Sequence, residues 1–343
     1  MLFLWLLTAA AIPLAITPGL FFHFDITPKI ILLALAAAVG LARIRSLPRE
    51  IAELRRRREG KHLLLLTGAQ LIWFGVTALT SSRPWFSVYG SGWRRLGLVE
   101  TASILVVAVL AAANLAARRE GTRALLRIAV AAGFAAAIYG ICEYFGLDPL
   151  QPVAVYQAHA GDSVIVRPPG TMGHADYFGW WLALEFFCGI ALFRIESGVW
   201  KRFAAAAAMT IAGAIVLSGT RAAILAVVCG VAAMVLMQRS GFRVRTRNVI
   251  AASAACVLGV AFYFSPAGTL LRARVVWSGD EPLGGARPLL WRDSLQMAAA
   301  RPLTGFGPET YLTAFAPYQS EELSRLFPDY HHESPHNLEF DAL

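Results

Sequence analysis

The stretch HHESPHN, residues 331–337, holds the densest set of side chains able to do chemistry. His332, Glu333 and His336 spell H-E-x-x-H, the pattern with which zinc proteases hold a metal and place a general base. That arrangement needs a helix, because only a helix puts residues i and i+4 on one face. Pro335 opposes it. Inside a helix it removes a backbone donor and clashes with the carbonyl of His331, at a cost of about 3 kcal/mol or more. Ser334, the residue before it, is pushed toward extended geometry. No third ligand follows in the few residues that remain. The spacing therefore argues against zinc. It places His336 where an outer loop re-enters the membrane, with Ser334 or Asn337 capping the entering helix and Pro335 in its first turn. His332 is expected to be a dispensable loop residue.

Two arginines carry the second chemical signal. Arg221 follows Ser218-Gly219-Thr220 in the middle of the apolar run Phe203–Gln238, and Arg167 precedes Pro168-Pro169-Gly170. An ionised side chain within an apolar run is costly and usually functional. A planar guanidinium binds phosphate oxygens in pairs. The remaining polar candidates are His174 and Asp176, at the head of the Tyr177–Phe193 run, with Asp176 as the expected N-cap, and Arg94 and Arg95 in YGSGWRRLGL. Glu185, in mid-span, is expected to be neutral or paired. Glu143 lies near the outer end of its span. Trp180 and Trp181 read as an aromatic belt.

These residues must be positioned by membrane helices. The chain has 343 residues, of which 57% are hydrophobic, with a mean hydropathy of +0.56. The runs Met1–Phe22, Leu63–Leu79, Leu96–Leu115, Ile128–Phe145, Tyr177–Phe193 and Val249–Phe264 are each near the ~20 residues that cross a bilayer. Ile30–Leu41 reaches that length with its flanks. Phe203–Gln238 is too long for one span and divides at Ser218–Arg221 into two helices joined by a tight turn. The expected fold is an all-α polytopic membrane protein with about nine spans and a tenth starting at Leu338. Residues 1–264 form the bundle, 265–337 a long outer loop with short helices, and 338–343 the start of a further span that stops in mid-pattern, as in a shortened chain. The first run lacks a basic leader and holds Pro13 and Pro18, which excludes a cleavable signal peptide. Within the loop, Arg287–Pro302 predicts a short helix with Leu290, Leu295 and Ala298 on one face. The four cysteines lie in apolar runs without a C-x-x-C pair and read as packing residues.

The net charge of +9 is not spread as a nucleic-acid patch. With the N-terminus cytoplasmic, the loops Arg43–Lys61, Ala116–Arg127, Arg194–Arg202 and Arg239–Asn248 hold 8, 4, 3 and 4 Lys or Arg, 19 of the 31. This is the positive-inside bias. RRRREGK, residues 55–61, then sets topology beside anionic lipid. The outer side keeps 12 basic residues, all arginine except Lys29. Outer arginines oppose the usual bias and call for a function.

Four ordered stretches resemble the O-antigen ligase and O-antigen polymerase superfamily of bacterial envelope enzymes. They are RPPGTMGHADYFGWWLAL (167–184), LSGTRAAILAV (217–227), RPLTGFGPETY (301–311) and SPHNLEFDAL (334–343). YGSGWRRLGL (89–98) and YGICEYFGLDP (139–149) add to the set, although Glu143 stands where the family commonly has Gln. The resemblance implies a GT-C-like, metal-independent glycosyltransferase of the inner membrane with no cofactor. Such an enzyme joins a glycan from undecaprenyl diphosphate to an acceptor hydroxyl, that of lipid A–core in the ligases, at the periplasmic face. In the polymerases the acceptor is a lipid-linked repeat, and in other relatives a protein hydroxyl. The resemblance further implies catalytic roles for His336, Arg221 and Arg167, with His174, Arg94, Arg95 and Asn337 against substrate. A transporter of the same lipids is the competing class. It would show inverted repeats or paired broken helices near mid-bilayer, and the sequence shows no repeat.

Overall fold

The computed structural model describes residues 2–17, 25–43, 45–92, 94–117, 121–160, 163–237, 257–280, 285–328 and 331–337. Five helices are long and apolar enough to cross a membrane: Arg58–Leu79, Leu98–Ala117, Gly121–Tyr144, Ala175–Ile195 and Gly198–Leu217. Shorter apolar helices are Leu4–Leu14, Ile26–Leu41 and Arg221–Met237. The run expected at Val249–Phe264 lies partly outside the described residues, and the span expected from Leu338 lies wholly outside them.

The chain forms two compact units. The first takes in Met1–Thr8, Leu20–Thr122 and Glu281–Leu343, and the second Ala9–Gly19 and Arg123–Asp280. In the second, Ala175–Ile195 packs against Gly198–Leu217 through small residues: a Cβ added at Gly189 would meet Ala208 at 3.3 Å. Lipid gives helices little hydrophobic reason to associate, so close backbone approach at small residues supplies the contact. Ala136, Ala137, Phe178, Leu182, Ile211, Ala214 and Ala223 form the buried core. The long apolar run breaks as expected. Gly198–Leu217 ends, Gly219 takes φ +64°, and Arg221–Met237 begins. Ser218 Oγ donates to the Ile215 carbonyl at 2.8 Å, satisfying one of the orphan carbonyls at that helix end.

In the first unit, Ile26–Leu41 and Leu47–Arg56 pack on Leu98–Ala117, with Leu54, Ala113 and Ala116 buried together. The Glu50 carboxylate is met by Arg43 at 2.5 Å and by Asn114 at 3.3 Å. The late loop folds around its own core of Leu290, Met297, Phe315 and Leu323.

One expectation about the late loop needs correction. The helix Arg287–Ala300 forms, but it buries Leu290, Asp293, Ser294 and Met297, while Leu295 is exposed. The buried set follows i, i+3, i+4, i+7, the spacing of one helical face, and includes two polar residues because both are bonded. Asp293 accepts from the Ser320 amide at 2.9 Å and its hydroxyl at 2.7 Å. Ser294 Oγ donates to the Leu290 carbonyl at 2.6 Å. The outer segment 146–176 carries a short hairpin. Gln157–Ala160 and Ser163–Val166 pair antiparallel, with Gln157 opposite Val166. The β-branched run Val164-Ile165-Val166 favours that extended form.

Phe178 is fully buried and faces both Gly140 and Gly170, where a Cβ would strike its ring. Gly170 also holds φ +55°. Gly170→Ala is therefore expected to destabilise the protein by about 1–3 kcal/mol through overpacking, read as a lowered melting temperature in detergent. An unchanged melting temperature would mean that the ring and loop do not pack this way.

Candidate active site

The site residues of the second unit gather around one carboxylate. The helix Ala175–Ile195 starts with His174 in extended geometry, and His174 Nδ1 accepts from the Asp176 amide at 3.1 Å. His174 is thus the N-cap, in place of Asp176. The ring provides the acceptor that a capping Asp would have supplied, and the Asp176 side chain is left for other partners. Arg167 Nη2 donates to Asp176 Oδ1 at 2.5 Å. Thr220 Oγ1 lies 3.0 Å from the Ala175 carbonyl and 3.3 Å from Asp176 Oδ1, so its single proton serves both. Asp176 therefore links the Arg167 loop to the turn that ends at Thr220. Arg221 is the next residue, exposed, and the first of the helix Arg221–Met237.

That position is electrostatically odd. A helix N-terminus carries free N–H groups and partial positive charge, so a cation there opposes the macrodipole. The same features favour an anion. Another arginine, this one buried, bears on this turn: Arg274 Nε points at the Gly219 carbonyl at 3.4 Å, and its stem covers Gly219. The Arg167 loop is fastened elsewhere too. Its amide donates to the Tyr156 carbonyl at 3.3 Å. The Gly170 amide donates to the buried Glu143 carboxylate at 2.8 Å. Burial, then the nearby Asp148 and Glu143, pushes the Tyr156 hydroxyl up and keeps it neutral. An arginine cluster on a fixed loop and a helix start suits a phosphate-bearing ligand.

The first unit holds His336 in the non-helical segment 331–337. Its carbonyls are held from two sides. Arg94 Nη1 donates to the Glu333 carbonyl at 3.1 Å, and Trp291 Nε1 to the Pro335 carbonyl at 2.8 Å. The Ser334 hydroxyl accepts from the His336 amide at 3.3 Å, and His336 takes φ +52°. His336 is exposed, with Asn337 half-buried beside it. His332 is buried, edge-on to Phe315 at 6.1 Å between ring centres. The two rings do not share a helical face. His332 lies in a loop as expected, but its ring is buried and turns into the late-loop core. Arg94 faces Glu309 at 3.7 Å, and Arg95 holds φ +53°. Among the described residues, no three His, Cys, Asp or Glu gather as a metal-ligand set.

Sequence reasoning undervalued Asp176, Glu143, Arg274, Trp291 and Glu309. Asp176 and Glu143 had a visible signal, each being acidic at the edge of an apolar run. Arg274 was visible only as one of several outer arginines. Glu309 and Trp291 act through partners far away in sequence, and nothing local marked them.

The helices define an all-α polytopic membrane protein. Residues 206–343 match the family model for O-antigen ligase, which supports a place in that superfamily. The match contains both Arg221 and His336. No curated protein and no solved structure matches the chain.

Burial holds the His332 ring below its ordinary value of 6.5, with the Asp293 charge opposing. A histidine that resists protonation when folded takes up more protons when released. Its contribution to loop stability is thus full above 6.5 and falls as pH drops toward the folded value. Hydrogen exchange at 331–337, corrected for its intrinsic pH dependence, should show protection falling below about pH 6.5. His332→Phe should remove that dependence. Equal acid sensitivity in both proteins would mean that His332 is not the buried titrating group.

Proposed function

We propose that the protein is an integral membrane glycosyltransferase that moves a glycan from undecaprenyl diphosphate to an acceptor hydroxyl, that of a lipid A–core sugar, at the periplasmic face of the inner membrane. The observation that carries this reading is the Asp176 link. It brings Arg167 to the turn before Arg221, although 54 residues separate them. The matched O-antigen ligase domain supports the same reaction class.

The acceptor oxygen attacks the anomeric carbon, the bond from that carbon to the diphosphate oxygen breaks, and the hydroxyl proton is released. Negative charge grows on the departing diphosphate. Fixed cations aimed at such charge lower the barrier, and Arg221 and Arg167 fill that role here without a metal. His336 orients the acceptor hydroxyl, since an exposed imidazole both donates and accepts hydrogen bonds near neutral pH. An oxocarbenium-like transition state needs little base strength, so orientation is its main part. His174, Arg95 and Asn337 contact substrate. The product formed from purified protein, an undecaprenyl diphosphate-linked repeat and lipid A–core identifies the acceptor. Chain extension of the lipid-linked repeat would assign a polymerase, and flipping without a new glycosidic bond a transporter.

Arg221→Lys keeps the charge but loses the planar fork. It should lower transfer about 10²- to 10³-fold while the protein still inserts. Full activity in the Lys variant would assign Arg221 to headgroup contact instead.

The two histidines should separate. His336→Ala should be severely impaired per molecule. His332→Ala should lower stability yet keep most of its rate, and EDTA should change little. Equal loss in both variants together with chelator sensitivity would restore a metal site. A reporter fused after Arg57 should be cytoplasmic and one after Gly284 periplasmic. The reverse pattern would overturn the orientation.

A further inference from the structure

We propose that the buried Glu309 carboxylate and the half-buried Arg94 form a clamp that sets the position of His336, which makes Glu309 a positioning residue for the acceptor end of the transfer. The proposal rests on the role given to His336 above. It begins from backbone conformation. Among the described residues, the non-glycine positions with positive φ are Arg95, Glu309 and His336, at +53°, +62° and +52°. Left-handed geometry is disfavoured for residues with a Cβ, which then crowds the backbone. It persists only where the surroundings over-determine it, and such residues cluster at functional sites. These three lie in separate segments of the first unit, and the same side chains tie those segments together.

Glu309 is the centre. Its side chain is 3% exposed. Oε2 accepts from the Ser91 amide at 3.1 Å and the Ser91 hydroxyl at 2.6 Å. Oε1 faces Arg94 Nε at 3.7 Å. Arg94 then reaches the Glu333 carbonyl through Nη1. The family resemblance places Arg94 against substrate; in the fold its Nη1 and Nε face the Glu333 carbonyl and Glu309. On the other side, Trp291 holds the Pro335 carbonyl. The peptides on either side of Ser334-Pro335 are therefore held by side chains of two other segments, the second of them being the peptide that leads into His336.

The base of the clamp is rigid. Ser87 Oγ donates to the Pro308 carbonyl at 2.8 Å, and Ser81 Oγ to the Phe306 carbonyl at 3.2 Å. Gly307, at φ +98°, has no room for a Cβ, which would fall 2.7 Å from Ser87 Oγ. A carboxylate at 309 thus stands on a fixed turn, and any shift in it passes through Arg94 to the segment carrying His336. A buried ion pair is weak evidence for stability alone, because desolvation offsets much of its attraction. Here it joins three strained segments, which a stabilising contact does not require.

The test is a double-mutant cycle on the full chain in nanodiscs, with an undecaprenyl diphosphate-linked repeat as donor and lipid A–core as acceptor. Glu309→Ala, Glu309→Gln and Arg94→Lys are each made alone and with His336→Ala. A displacement of about 1 Å at a reacting group costs up to 10²-fold. Glu309→Ala should accordingly lower kcat by about 10- to 100-fold with the donor KM unchanged. Glu309→Gln, which still accepts from Ser91, should recover part of that rate. In the His336→Ala background, neither Glu309 variant nor Arg94→Lys should cause further loss, since each acts through the histidine. Undiminished additional loss in that background would overturn the clamp and assign Glu309 a general structural role. So would a wild-type rate in Glu309→Ala beside an impaired His336→Ala. A wild-type rate in His336→Ala alone would instead overturn the reading of the histidine, a separate result. If Glu309→Ala fails to accumulate, Glu309→Gln and Arg94→Lys complete the same cycle with smaller perturbations.

Discussion

The ion pair between Asp176 and Arg167 is the interaction on which the arginine-bearing end of the second unit depends. An arginine at the edge of an apolar bundle must be met by an acceptor or it will draw water and lipid headgroups into the site. Asp176 meets Arg167 and also reaches the Thr220 hydroxyl, one residue before Arg221. One carboxylate thereby holds a loop, a helix start and an interhelical turn in register. His174 makes this possible by taking over the cap of its own helix.

The same economy recurs in the first unit, where Glu309 stands between Ser91 and Arg94. Both carboxylates sit beside residues that the apolar runs do not explain. Both convert a flexible connection into a fixed platform, and both leave a neighbouring residue exposed: Arg221 in one case, His336 in the other. The anionic partner fixes the frame, and under the proposed function the exposed side chain beside it is the one offered to substrate.

The O-antigen ligase match, residues 206–343, covers Arg221 and His336 but neither Arg167 nor Arg94. Those two are supplied by earlier parts of the chain. The reading of the function therefore rests on a late domain together with earlier segments that each unit folds against it: 167–176 against the 218–221 turn in the second, 81–95 against 306–310 and 333 in the first.

The membrane class and the break at Ser218–Arg221 were legible in the sequence. Apolar run length, glycine and proline placement and an ionised residue in an apolar context are local properties, and each has a local cost. The helix at Arg287–Ala300 was legible as a helix, but its buried face was not. Asp293 is buried because Ser320, far along the chain, satisfies it, while Leu295 faces away from the core. His332 went inward for a related reason, since only the folded loop brings Phe315 to it. The partners of Glu309 and Asp176 were equally out of reach. Sequence determines what a residue costs to leave unpaired; which residue pairs with it is a long-range geometric outcome, and only the tertiary structure decided that.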